Sequence, residues 1–397
     1  MHSATAIITL SEYEPILLST TDFAFAAAQR LWCDYPYVVE VEPPSFKTGN
    51  NWRLTNLGWV GYLPLTSDCA LALQPKTPLA NLLRMVEEVY ELAAWQLLDG
   101  RFRATTLPEF YERLACLLAQ RVLHRCRRGL HRAYRPQRAP LPYVRGQLDL
   151  TEIVRRPPMP ATPCHYHEHT ADIEDNQILL WTLHQILRSG LCTAHATPTI
   201  HQAARTLQTV VTLQPQLAQA CRRRAYTRLN QDYQPLHALC ALFLEQSGPS
   251  HLPGEVEAIP FMVEMASLYE RYVAAWLQRH LDAQWRVQVQ ERHPLGGSNQ
   301  HFAIDLVLYS ATTGAVHAVL DTKYKIPITP ATADIAQVVA YAEAKGAREA
   351  ILIYPQPLAE PLDVCIGQIR VRTLTFNLAD ELATAGQAFL QGLLPPD

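Results

Sequence analysis

Phe302–Lys325, FAIDLVLYSATTGAVHAVLDTKYK, decides how the chain is read. Two apolar runs flank Ser-Ala-Thr-Thr-Gly, which predicts a β-hairpin with a loop of about five residues. Strand side chains alternate between faces, so Phe302, Ile304, Leu306 and Leu308 share one face and Asp305 takes the other. In the second strand Val319, Asp321 and Lys323 share a face. An acid in mid-strand is disfavoured, yet here two acids can converge, with a lysine two positions after the second. Two carboxylates suit a divalent cation such as Mg²⁺, and an ammonium beside them can orient water or steady a charged transition state. That combination points to phosphodiester hydrolysis. A surface hairpin with a cross-strand salt bridge is the plain alternative.

Working outward, a helix is expected over Ala333–Lys345, then strands in REAILIYP and VCIGQIRVRTLTF. Upstream, PFMVEMASLYERYVAAWLQRHL reads as an amphipathic helix and WRVQVQE as a strand. Residues 255–397 therefore form an α/β domain with a mixed sheet. Ser247–Gly254, dense in turn residues, reads as a linker. Residues 106–247 look mainly helical, with LPEFYERLACLLAQRVLHRCRRGL and QILLWTLHQIL as helices. Asp172 or its neighbours would cap the second of these, and Tyr143–Leu150 reads as a strand. Arg121, Arg125, Arg127, Arg128, Arg132, Arg135 and Arg138 form either a solvated face or a strip that contacts phosphates. Arg222–Arg224 is a second cluster. Cys164, His165, His167 and His169 lack the paired spacing of a structural zinc site.

Residues 1–105 open with the strand ATAIITL and a short helix in TTDFAFAAAQRLW, capped by Thr or Asp. YVVEVE, RLTNLGWVGYLPL and CALALQP supply more strands, and LANLLRMVEEVYELAAWQLL a helix. This β-rich module could be purely structural or a docking platform.

With 397 residues the chain is too long for one ordinary domain. Its 48% hydrophobic and 18% charged residues describe a well-cored globular protein, and a net charge of −3 gives no global pull toward nucleic acid. Any such binding must come from local basic patches. Nine cysteines without a CxxC pair favour a reducing cytoplasm. The N-terminus shows no signal-peptide pattern, and no apolar stretch is long enough to span a bilayer.

Gln337 and Tyr341, four apart on the helix after the hairpin, share a face, and Glu270 lies on the helix before it. The order Glu270, Asp305, Asp321, Lys323, Gln337, Tyr341 resembles the E…D…DxK…QxxxY of the RecB-like branch of the PD-(D/E)xK nucleases, with Ile304 where proline would precede the first acid. Leu57–Tyr62, Ala70–Lys76, Asn81–Met85, Val144–Asp149, Asp172–Asn176 and MASLYERYV look like successive parts of the McrC family. The likeness covers nearly the whole chain.

This resemblance implies an α+β multidomain protein: a β-rich partner-docking module, a helical middle region with basic clusters, and a PD-(D/E)xK nuclease domain. It implies a nuclease subunit that acts with McrB, a hexameric AAA+ GTPase whose hydrolysis it stimulates, on DNA containing modified cytosine. Asp305 and Asp321 would bind Mg²⁺, or Mn²⁺ in its place, with the Thr322 carbonyl as a further ligand and Glu270 acting through water. Lys323 would activate water or stabilise the pentavalent phosphate, while Gln337 and Tyr341 position it. The chain has no G-x-x-x-x-G-K-[ST] and is not expected to bind nucleotide itself. A non-catalytic activator of an AAA+ NTPase and a RecB-like repair nuclease are the competing readings.

Overall fold

The predicted hairpin forms between His301–Ser310 and Val316–Thr322, closed by a five-residue loop in which Gly314 takes a positive φ of 70°. The structure, a computed structural model, describes residues 6–66, 68–90, 106–155, 161–222, 224–246, 261–294 and 300–394. The chain divides into two compact units, one made of Met1–Thr105 with Met262–Asp397 and the other of Thr106–Phe261. The first and third segments expected from the sequence thus share one unit.

The N-terminal half of the first unit contains β1 (Ala6–Ser11), β2 (Pro15–Leu18), α1 (Phe25–Asp34), β3 (Val39–Glu42), β4 (Trp52–Asn56), β5 (Trp59–Pro64), β6 (Cys69–Gln74) and α2 (Leu79–Val89). β2, β4 and β3 make one antiparallel sheet; β1, β6 and β5 belong to another, with β1 and β6 parallel. Leu10, Phe23, Ala27, Leu31, Leu54, Leu63, Leu71 and Leu73 are buried together between them. The cap expected for α1 is not used: Ala24 takes that position, while Ser19 and Asp22 bond to each other in the preceding turn. The predicted helix beyond Tyr90 lies outside the described residues.

The second unit holds α3 (Leu107–Arg128), β7 (Ala133–Leu141), β8 (Gln147–Leu148), α4 (Leu150–Arg155), β9 (Thr162–Thr170), α5 (Glu174–Ser189), α6 (Thr197–Gln208), α7 (Ala218–Arg222) and α8 (Gln234–Gln246). α3 starts as its sequence dictates: the Thr106 side chain accepts from the Glu109 amide, and Pro108 occupies the first turn, where its missing N–H costs nothing. Two readings change here. Arg132–Arg138 runs into β7, a nine-residue strand that pairs with β9. Only Gln147–Leu148 of Tyr143–Leu150 is strand. Ile173, the neighbour of Asp172, occupies the cap position of α5, while Asp172 is engaged by Thr212 and Gln177. Several arginines have structural partners: Arg125 with Asp232, Arg138 with Asp149 and Glu152, and Arg224 with Glu174 and Asp175. His165 bonds Asp149. The linker Ser247–Gly254 lies outside the described residues.

The C-terminal half of the first unit comprises β10 (Phe261–Glu264), α9 (Met265–His280), β11 (Trp285–Pro294), β12 (His301–Ser310), β13 (Val316–Thr322), α10 (Thr332–Lys345), β14 (Glu349–Tyr354), β15 (Asp363–Ile366), β16 (Ile369–Thr375) and α11 (Leu382–Leu393). Phe261–Glu264, expected to begin a helix, is a strand at the edge of the β1–β6–β5 sheet. The remaining strands form one mixed sheet in the order β11–β12–β13–β14–β16–β15. β13 and β14 are parallel, so the chain must cross over between them, and α10 is that crossover. α10 buries Val338, Tyr341 and Ala342 against Val319, Ala350 and Leu352. It ends at Gly346 in the left-handed conformation that favours glycine. The two halves of the unit are tied together: the Asn81 amide donates to the Leu378 and Asp380 carbonyls, and Met265 N donates to Gly58 O.

Candidate active site

β12 and β13 pair with Leu306 opposite Leu320, so one step further Asp305 faces Asp321. Like charges directly opposite in a ladder destabilise a sheet. Two features compensate. Asp305 Oδ2 accepts from the Thr322 amide at 3.0 Å and from the Thr322 hydroxyl at 3.1 Å. Lys323 Nζ lies 2.6 Å from Asp321 Oδ2. Lys323 stands just past the end of β13, where its amide still bonds the Ile353 carbonyl. The lysine side chain returns to the acid two residues before it.

Asp321 is 1% exposed, because β13 is flanked by β12 and β14. Burial, reinforced by the Asp305 charge, pushes its carboxyl from 3.8 up to about 6 even with Lys323 pulling the other way. Burial would lower the Lys323 ammonium, but Asp321, Asp334 and Asp305 outweigh it and hold it above the usual lysine value. The ammonium is further fixed by Gln337 Oε1, which accepts from it at 3.1 Å. Gln337 Nε2 in turn donates to the Tyr341 hydroxyl at 2.8 Å. The Tyr341 ring packs edge-on against Phe302. A continuous relay therefore runs from Asp321 through Lys323 and Gln337 to Tyr341, and its last member is anchored in the core.

Glu270, on α9, accepts from Gln290 Nε2 at 2.9 Å. Burial raises its pKa, with the Asp305 charge as the next cause. Gln290 sits on β11 across from Asp305, between the pairs Val289–Leu306 and Glu291–Ile304, and takes a positive φ of 48°. That conformation is strained for a residue with a side chain, and such strain clusters at functional sites. Of the six residues singled out in sequence, Asp321, Lys323, Gln337 and Tyr341 form one bonded chain, Asp305 lies across from Asp321, and Glu270 lies near enough to Asp305 to feel its charge. Gln290 and Asp334 were not singled out. Asp334, in the first turn of α10, pairs with Lys325 at 2.5 Å and lies 3.9 Å from Lys323. An acid in a helix's first turn is an ordinary capping signal, so nothing in sequence separated it from the others.

Among the described residues no three His, Cys, Asp or Glu side chains gather closely enough to hold a metal unaided. The donor chemistry nonetheless fits a hard divalent cation. Asp321 Oδ2 is buried, meets only the Lys323 ammonium among the described contacts, and faces a second carboxylate. Mg²⁺ commonly uses only one or two protein carboxylates and takes its remaining oxygens from water and phosphate. Elsewhere among the described residues no helix is long and apolar enough to cross a membrane. All nine cysteines are free thiols.

Comparison with known proteins agrees with this architecture. A solved assembly from Thermococcus gammatolerans, described as McrB AAA+ hexamers with bound McrC, contains a chain that superposes with a TM-score of 0.59 at 19% identity, covering 98% of this chain and 99% of that one. A second structure, of the Thermococcus gammatolerans McrBC complex, matches with a TM-score of 0.45 at 20% identity over 70% of this chain and 88% of that one. No curated protein matches. The family model described as "McrBC 5-methylcytosine restriction system component" matches residues 54–355, most of the chain and including the hairpin. The chain belongs to the McrBC 5-methylcytosine restriction system component family.

Proposed function

We propose that this chain is the DNA-cutting subunit of a modification-dependent restriction system. The six-stranded sheet with α10 is, on this reading, a PD-(D/E)xK nuclease domain. The observation that carries it is the facing pair Asp305 and Asp321 with the Lys323 ammonium 2.6 Å from Asp321. A scaffold gains nothing from a buried acid that costs free energy to ionise; a hydrolytic site does.

Asp305 and Asp321 would hold Mg²⁺ or Mn²⁺, with the Thr322 carbonyl as a further ligand and Glu270 acting through water. When bound, the ion supplies Lewis-acid stabilisation of the phosphoryl oxygens. Lys323 orients the attacking water or meets the charge that builds on the pentavalent phosphate. Gln337 fixes the lysine's direction and Tyr341 fixes Gln337, so the ammonium needs no reorganisation during the reaction. Burial and the Asp305 charge raise the pKa of Glu270 and so favour its protonated form.

The partner is a McrB-like hexameric AAA+ GTPase, and the DNA carries modified cytosine. Support comes from the family and from the McrB-bound McrC of the matching assembly. The expected result with methylated plasmid, Mg²⁺, the AAA+ partner and GTP is cutting that disappears when the partner or GTP is left out. Partner GTP hydrolysis accelerated by this chain without any cutting would replace the nuclease with an activator. Cutting indifferent to both would make it an autonomous nuclease.

A further inference from the structure

The loop after the catalytic lysine also builds a second feature. Tyr324, Lys325, Ile326 and Pro327 line a cavity of about 310 Å³ within the first unit, completed by Glu12, Tyr13, Lys76 and Thr77 on one half and Pro355, Gln356 and Leu378 on the other. Its volume sits at the lower end for small-ligand pockets, enough for one ring system. Ile326, Pro327, Pro355 and Leu378 give it apolar walls. Glu12, Thr77 and Tyr324 give it hydrogen-bonding groups: the Tyr324 hydroxyl donates to Glu12 Oε1 at 3.3 Å and lies 3.5 Å from the Thr77 hydroxyl.

The charges define the ligand. Lys76 is paired with Glu14 and Lys325 with Asp334. Glu12 is 1% exposed. Burial pushes its carboxyl up to about 7, so near neutral pH it can either donate or accept a hydrogen bond. A site with apolar walls, an adaptable carboxyl and no uncommitted cation suits a neutral planar heterocycle with donors and acceptors on its edge. Position supplies the source. Ile326 and Pro327 are three and four residues from Lys323, at most ~14 Å of extended chain. A phosphate at Lys323 therefore leaves a neighbouring nucleotide within reach.

We propose that this cavity takes up a single unstacked nucleobase from the strand that lies across Lys323, an inference that rests on the nuclease reading above. Extruding a base costs stacking, which aromatic and apolar walls repay. Tyr13, held at a positive φ of 57°, would then be a fixed wall of the site.

The test uses the full chain with its AAA+ partner, GTP and Ca²⁺ in place of Mg²⁺, so that base uptake is read without cutting. Oligonucleotides carry 2-aminopurine at each position within four nucleotides of the cleavage site. The expected result is a fluorescence rise at one position, lost in Ile326→Trp and in Gln356→Trp, two separate ways of filling the cavity. With Mg²⁺, cutting by both variants should fall ~10-fold, and an abasic site at that position should have the same effect on the unmodified protein. A free mononucleotide that abolishes the signal and raises the melting temperature would assign the same chemistry to a free nucleotide. Wild-type-like fluorescence and cutting in both folded variants would overturn the proposal while leaving the nuclease reading intact. Failure of the unmodified protein to cut, with the 2-aminopurine signal present, would strike the nuclease reading instead.

Discussion

Replacing Asp321 by asparagine should make the metal-free protein more stable. A carboxyl whose folded pKa is raised binds more protons folded than unfolded, so it costs stability as pH rises between the two values. For Asp321 these are 3.8 and about 6. At 1.36 kcal/mol per unit the cost of ionisation at pH 7.5 is about 3 kcal/mol, with the help of Lys323 already included. Asparagine mimics the neutral acid and removes that cost. Two-thirds of the penalty is gone by pH 4.5, leaving roughly 1 kcal/mol. With about 2–4 °C per kcal/mol for a unit of this size, the first unit of Asp321→Asn should melt ~6–12 °C higher at pH 7.5 and only a few degrees higher at pH 4.5. Differential scanning calorimetry in EDTA at both pH values measures this. Mg²⁺ or Ca²⁺ should raise the melting temperature of the unmodified protein at pH 7.5 and leave that of Asp321→Asn unchanged. An asparagine variant no more stable at pH 7.5, or with the same gain at both pH values, would refute the argument that this acid is held at a cost.

Two other outcomes follow from the packing. His237 is fully buried and its imidazole is pushed from 6.5 down to about 4 by burial, so the unfolded chain binds the extra proton. The second unit should lose about 3 kcal/mol as pH falls through that window, and His237→Gln should flatten the decline in a pH series of melts; an unchanged slope would contradict it. At Gly386 an added Cβ would run into the Trp276 indole, which Phe376 and Phe389 hold in place. Gly386→Ala should therefore cost about 1–3 kcal/mol by overpacking, read as a lower melting temperature of the first unit, and a neutral result would show that the indole can move.

The site was legible in sequence because its parts are local and chemically odd. Acids within apolar strand runs at Asp305 and Asp321, a lysine two residues on, and a helical i, i+4 pair at Gln337 and Tyr341 need only strand and helix periodicity to be brought together. Gln290 was invisible, since its role depends on a φ of 48° and on lying across from Asp305, and neither leaves a mark in WRVQVQE. β7 was hidden for a related reason: its arginines read as a charge run, whereas Arg135 and Arg138 bond the Asp172 carbonyl, Asp149 and Glu152. The union of the two ends of the chain in one unit could not be read either. It rests on long-range bonds such as Asn81 to Leu378, which no local pattern encodes.

The most direct test of the central claim is single-turnover cleavage by the assembled complex at saturating Mg²⁺, comparing the unmodified chain with Lys323→Gln. Lys323 is assigned to the reaction and not to holding the metal. Cutting should therefore fall by about two orders of magnitude or more, with the divalent-cation gain in melting temperature retained. Cutting by Lys323→Gln at the unmodified rate would remove the lysine, and with it the proposed chemistry, from the site.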